Sequence, residues 1–389
     1  MVSMVCQRFF KLQDDESIAF GVNLWYLTKS LGMETFQRRG VFMPGKTGVV
    51  TDIKYMAHEC GYAHPESPER LAAIYAMLDQ HDMRGRFIKI RPRPATHEEL
   101  ALIHYPSYVD LIADTTGRDF TPLDPDTTAT AESYTAAILA AGGVCNAIDS
   151  VISGEADNAF ALVRPPGHHA EAGAARGFCI FNNVAIGAMY AITRHKMKRI
   201  LIADWDLHHG NGTQHSFYDD NRVLYFSTHQ YPYYPGTGAV SENGRGKGLG
   251  YTINVPLMAG ADNTLYLDIF RKILQPAAMK FEPELILVSA GFDIHEKDPL
   301  GGMKVTPEGF ACMTRVLMNI ADACCRGRLV MTLEGGYHIK GQTEAVKMVL
   351  REMRDETQSE TDKLHPAGDG ENLVIRRVIE QITLYWPVF

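Results

Sequence analysis

Four short stretches of this chain hold side chains that can do chemistry together. In DWDLHHGNG (204–212), residues i and i+2 of an extended segment project to the same side. Asp206 and His208 can therefore reach one point, while Asp204 points the same way one step deeper. Asp293, which directly follows another apolar run, brings a further carboxylate. Two carboxylates and one imidazole, from Asp206, Asp293 and His208, leave an open position for water, as a catalytic zinc requires. Taken alone, the same string also reads as a helix cap made by Asp204 and Asp206, with His208 an ordinary polar side chain.

The second stretch is RPPGHH (164–169), which sets His168 and His169 on a bend containing Pro and Gly. Two adjacent histidines can be metal ligands, turn residues or acid–base groups. Beside a metal and a buried carboxylate the acid–base role is favoured, because imidazole titrates near neutral pH. The last is Glu334-Gly335-Gly336-Tyr337. Its two glycines allow a sharp turn and a close backbone approach, which could aim the Tyr337 phenol at a carbonyl oxygen. A lone GGY is otherwise a simple turn.

The elements that must position these groups follow from the apolar pattern. AFALV (159–163), RILIADW (199–205), VLYFSTH (223–229), TINVPL (252–257), ELILVSAGF (284–292) and RLVMTLEGG (328–336) are short apolar runs. They alternate with helix-like segments at 133–149, 182–195, 263–280 and 307–326. Continuous apolar strands alternating with helices predict a parallel α/β sheet covered on both faces. Ligands in such sheets bind beyond the carboxyl ends of the strands, and four of these strands end in the polar groups above.

The first 46 residues read as an N-terminal extension with one amphipathic helix and a Gly/Pro-rich link, and residues 47–389 as the catalytic domain. Residues 354–372 read as an exposed polar loop before a last helix. With 46% hydrophobic and 22% charged residues, the composition is that of an ordinary globular protein. A net charge of −8 gives no footprint for nucleic acid and weakly suits a cationic partner such as a Lys-rich peptide. No apolar run reaches the roughly 18 residues that span a bilayer, so no membrane association is expected. The opening MVSMVCQRFFKLQDDES lacks the apolar stretch of a secretory signal. Seven cysteines without a CxxC pair argue against a disulfide framework or a cysteine zinc site. A reducing, cytoplasmic location is the expectation.

Together, HPESPERL (64–71), RPPGHHA (164–170), GFCIFNNVAIGA (177–188), ADWDLHHGNGTQ (203–214), YPGTG (234–238), SAGFDIHEKDPLGGMKVT (289–306) and LEGGYH (333–338) resemble the zinc-dependent histone deacetylase family, including its bacterial and acetylpolyamine-cleaving members. HHGNGTQ and LEGGY look closer to its class II branch. The resemblance implies an arginase/deacetylase-like three-layer α/β fold, with a central, mostly parallel sheet of about eight strands flanked by helices. It implies one zinc on Asp206, His208 and Asp293, with His169 as general base and then acid. His168 would be an electrostatic partner bonded to Asp204, and Tyr337 the oxyanion donor. Asn211 stands where many relatives have a carboxylate; an amide cannot raise imidazole basicity as Asp does, which favours a neutral His169. Two structural potassium ions are implied, one on Asp204, Asp206, His208, Ser227 and Thr228, the other on Phe217, Asp220, Val223 and Tyr251. Arg70 matches an arginine near the family's internal acetate pocket.

The resemblance also places a narrow acyl-lysine channel between Phe178, following Gly177, and Tyr234. Asp124 or Asp126 (LDPDTT, 123–128) would bind the substrate backbone. Leu300 stands where polyamine-specific relatives carry Glu, which favours acetyl-lysine in proteins or peptides over small acetylated amines. The competing readings are an acetylpolyamine deacetylase and a non-catalytic acetyl-lysine binder; a ureohydrolase would need a richer aspartate set. Similar bacterial enzymes point to a homo-oligomer.

Overall fold

The computed structural model describes residues 45–357, 359 and 372–389. The expected N-terminal extension lies outside the described residues up to residue 44, as does most of the polar stretch 358–371. The six expected strands form as β5 (Asn158–Ala161), β6 (Ile200–Asp204), β7 (Val223–Gln230), β8 (Thr252–Leu257), β9 (Leu285–Ala290) and β10 (Leu329–Leu333). Two more, β1 (Thr47–Val50) and β2 (Ile88–Ile90), complete an eight-stranded sheet in the order β2-β1-β5-β10-β9-β6-β7-β8. Every pairing in it is parallel. A separate antiparallel ribbon pairs β3 (Thr121–Pro122) with β4 (Thr128–Ala129).

Nearly every residue of the central strands is buried, as their unbroken Val/Ile/Leu/Ala runs require when helices cover both faces. The helices Ser133–Ser153, Asn183–Arg194, Pro307–Cys325 and Ile339–Met353 flank the sheet. The first of these corrects the expectation that no segment is apolar enough to cross a membrane: by length and composition it is, yet 72% of its most apolar window is buried inside the fold. It packs on β1, β5 and the helix Asn183–Arg194, so its apolar surface is core surface. Gly142 lets the Arg93–Ala95 segment cross it, because a Cβ there would lie 2.0 Å from the Arg93 carbonyl oxygen.

The chain makes β5 and then β6, but β9 and β10 later insert between them. The four strands that end in chemistry-bearing residues are therefore contiguous neighbours at the centre of the sheet.

Candidate active site

The carboxyl ends of β5, β10, β9 and β6 converge on one cluster. His208 Nδ1 lies 3.2 Å from Asp206 Oδ1 and 3.1 Å from Asp293 Oδ2, and one ligand atom from each residue falls within 4.8 Å of the others. Bonds of about 2.0–2.1 Å to a tetrahedral ion put ligand atoms about 3.3 Å apart, so this spacing fits zinc. The charge fits too. Burial and the neighbouring Asp206 push the Asp293 carboxyl up to about 7, the strain of two buried carboxylates that a divalent cation relieves. Each is also fixed from outside: Gly335 N donates to Asp206 Oδ2 at 2.9 Å and Leu207 N to Asp293 Oδ1 at 2.9 Å. Glycine is required around them, since a Cβ at Gly291 would lie 2.0 Å from Asp206 Oδ2 and one at Gly335 2.3 Å from Asp293 Oδ2.

The two histidines differ in electrostatic setting although their rings are 4.0 Å apart. His168 Nδ1 donates to Asp204 Oδ2 at 3.1 Å. Burial opposes its charge, but Asp206 and Asp204 outweigh that and raise it to about 10. Asp204 in turn accepts from the Tyr225 hydroxyl at 3.1 Å and from Asp206 N at 3.1 Å. His169 Nδ1 pairs with Asn211 Oδ1 at 2.8 Å. Burial, then the nearby His168 and His208, push it well below the ordinary imidazole value. One imidazole is thus held as a cation and the other as a free base, a division that suits acid–base work.

Tyr337 sits between the aromatic edge of Phe178, at 6.0 Å, and the Arg70 guanidinium, 5.0 Å from its ring. Desolvation, then Asp293, holds its phenol protonated far above the usual value, so it remains a hydrogen-bond donor. Across the opening, Tyr234 meets the His169 ring edge-on at 5.1 Å. Gly177 has φ +55, and a Cβ there would strike His169 Cδ2 at 2.3 Å, which explains the glycine before Phe178. Asp126 accepts from Gly177 N at 3.0 Å and Asp124 from Asp126 N at 2.9 Å. This acidic pair therefore buttresses the Gly177–Phe178 wall. Leu300 is held from both sides, its N–H by Asp298 and its carbonyl by the Tyr233 hydroxyl at 2.8 Å.

Residues 64–353 match the family described as Histone deacetylase domain. The chain belongs to the histone deacetylase family. It is accordingly a hydrolase acting on amide bonds. It is 41% identical over 297 residues to a probable deacetylase of Archaeoglobus fulgidus, covering 76% of this chain and 82% of that one. It is 42% identical to the polyamine deacetylase HDAC10 of Homo sapiens over 74% of this chain, and 36% identical to the histone deacetylase HDA1 of Candida albicans over 86%. The chain spans 44% of the length of each of the latter two. The crystal structure of the HDA15 HD domain matches with a TM-score of 0.81 and 36% identity, covering 88% of this chain and 96% of that one.

In this deacetylase the first set of residues implied for potassium is brought together only in part. Asp204 and Ser227 are register partners on β6 and β7, and Thr228 Oγ1 is buried without a hydrogen-bond partner, as befits an oxygen set for a cation. In the second set, the Asp220 carboxylate is bonded by Arg222, while the Phe217 carbonyl accepts Asp220 N at 3.0 Å and the Tyr251 carbonyl accepts Tyr225 N at 2.9 Å.

Several contributors escape sequence reasoning. Glu334 is fully buried and accepts from Gly167 N at 2.7 Å, His168 N at 3.2 Å and the Ser289 hydroxyl at 2.9 Å; it clamps the histidine loop, and burial raises it to about 7. Its position before GGY was the only signal. Arg70 Nε donates to the Gly336 carbonyl at 2.6 Å and its NH2 group to the Glu334 carbonyl at 2.6 Å, setting the turn below Tyr337. Glu66 joins Arg70, at 2.9 Å, to Arg164, at 2.5 and 2.6 Å. Those bonds disqualify a second cluster with metal-binding composition, His58, Cys60 and Glu66, because two guanidinium charges face the carboxylate a cation would need. The six cysteines among the described residues are free.

Proposed function

We propose that this chain removes acetyl, or another short acyl group, from the lysine side chain of proteins or peptides, with one zinc ion held by Asp206, His208 and Asp293. The observation that supports this best is the convergence of those ligand atoms within 4.8 Å beside one charged and one neutral histidine, with a protonated tyrosine on the adjoining strand end. Zinc bound there supplies Lewis acidity and lowers the pKa of water toward neutrality.

His169, uncharged at rest, accepts a proton from the attacking water and then passes it to the leaving amine, which departs poorly as an anion. The Tyr337 hydroxyl donates to the acyl oxygen as negative charge develops there. His168, kept cationic by Asp204 and Asp206, adds positive charge beside the reacting centre. Phe178 and Tyr234 flank an aliphatic side chain and exclude water. Leu300, which is apolar, offers no counter-charge to a second ammonium group, and this favours acetyl-lysine over an acetylpolyamine. Potassium on the Asp204–Ser227–Thr228 set would steady the loop after β6. Residues 47–389 form the catalytic body in this reading.

A second reading, hydrolysis of acetylpolyamines, draws on the 42% identity to a protein named polyamine deacetylase. Zinc-loaded enzyme assayed side by side on an acetyl-lysine peptide and an acetylpolyamine separates the two, with Tyr337→Phe as control. Faster peptide turnover, lost in the variant, is expected. Faster polyamine turnover would move the substrate to the second class, and no turnover of either would overturn both.

A further inference from the structure

Asn211 can face His169 in two ways related by rotating its amide, and an amide's oxygen and nitrogen are assigned from their partners. The partner that decides here is Glu171. Its Oε1 lies 2.5 Å from Asn211 Nδ2, and an ionised carboxylate only accepts. Turning the amide over would set its oxygen against that carboxylate. Asn211 Oδ1 must therefore face His169 Nδ1, 2.8 Å away, and an acceptor at that distance requires the proton on Nδ1. The lone pair is left on Nε2.

Glu171 is itself firmly placed. Its backbone N–H donates to the Ala174 carbonyl at 2.9 Å, and its carbonyl accepts from His104 Nδ1 at 2.9 Å. Its carboxylate also accepts from His215 Nδ1 at 2.9 and 3.1 Å. Burial opposes its charge, but His215, Asn211 and Arg176 together keep its pKa below the ordinary value, so the acceptor-only state holds.

We infer that Glu171, acting through Asn211, is a positioning residue that fixes His169 in its Nδ1–H tautomer. The carboxylate that would touch the histidine directly is thereby moved one side chain outward. The histidine is oriented as a carboxylate would orient it, without the charge that would raise its pKa. The inference rests on the reading of His169 as the base, but the tautomer can be observed without any turnover.

The test is an exchange. Glu171→Gln gives Asn211 a neighbour that can donate or accept, so both amide orientations become acceptable. Asn211→Asp alone sets two carboxylates against each other. Both changes together put the carboxylate beside His169 and the amide outside it, restoring one consistent set of donors and acceptors. Nitrogen-15 NMR of histidine-labelled protein reads the tautomer, kcat and KM read the chemistry, and thermal unfolding reads the fold.

Glu171→Gln is expected to give a mixture of His169 tautomers and to lower kcat about 10- to 100-fold, the usual cost of losing such a partner, with KM little changed. The double variant is expected to return a single tautomer and most of kcat. A single Nδ1–H tautomer persisting in Glu171→Gln would overturn the inference. So would a folded double variant that fails to regain one tautomer. If the tautomers behave as expected but the unsubstituted enzyme hydrolyses no acyl-lysine, the inference stands and the proposed function fails.

Discussion

Asp298 holds Tyr337 by its backbone: the carboxylate Oδ2 accepts Tyr337 N at 2.7 Å and His338 N at 3.1 Å, while Oδ1 accepts Leu300 N at 3.0 Å. One nearly buried side chain thus ties the phenol donor to the residue at the channel mouth, with no cation spent on it among the described residues. Asp298→Ala should lower kcat on an acetyl-lysine peptide by about 10- to 100-fold while zinc content is retained. Stability should fall by about 1–3 kcal/mol for buried donors left unmatched. Unchanged kcat would show that Tyr337 is held by other contacts.

Gly335→Ala would push a methyl group into the Asp293 carboxylate, and no rotamer can move a Cβ aside. Loss of bound zinc, measured by metal analysis of the purified protein, is the expected outcome. Adding zinc to chelator-stripped enzyme should raise its thermal midpoint, since a ligand at a thousandfold excess over its Kd stabilises by about 4 kcal/mol. Asp293→Ala should abolish that rise; a rise that survives in it would place the metal elsewhere.

Glu66 neutralises two fully buried arginines, Arg70 and Arg164. Although burial opposes its charge, these guanidinium groups hold its carboxyl well below the usual range. Glu66→Gln leaves them uncompensated, and removing one partner of a buried ion pair costs about 3–5 kcal/mol. Denaturant unfolding should show a loss of this size. A loss under about 1 kcal/mol would mean that backbone carbonyls alone satisfy both arginines.

Stability should depend on pH through three buried histidines. Desolvation lowers His58, His104 and His229 each to about 4. They are neutral in the fold, and His104 Nε2 accepts from Asn182 N at 2.9 Å, a bond that a proton would break. Their pKa values are depressed on folding, so their stabilising effect is complete above the unfolded value of about 6.5. It is lost as pH falls from there toward 4, at about 1.4 kcal/mol per pKa unit for each group. The thermal midpoint should be nearly flat above about pH 7 and fall steeply below 6; a flat profile down to 4 would count against neutral histidines.

Six strands and four flanking helices were legible because their apolar runs are long, and because parallel strands buried on both faces cannot be polar. TGVV of β1 and IKI of β2 went unseen: three or four residues carry no period, and only pairing with neighbours makes them strands. Asp206, His208, Asp293, His168, His169 and Tyr337 were legible because each directly follows an apolar run. Asp298, Glu171 and Glu66 were not, since a carboxylate in a loop looks the same whether it meets solvent or a buried N–H. Glu66 and Arg164 lie 98 residues apart, and no local pattern links them.

β9 and β10 insert between β5 and β6, so the groups that meet at the site are contributed by segments far apart in the chain and joined only by non-local parallel pairing. Such pairings pay their loop-closure entropy before any contact rewards it, and they form late. The centre of this sheet is the last part that can close, and a chain lacking its final strand has no half-built site to offer. During refolding, helical signal should return first and turnover only when the sheet is whole, so activity serves as the clock for the end of folding.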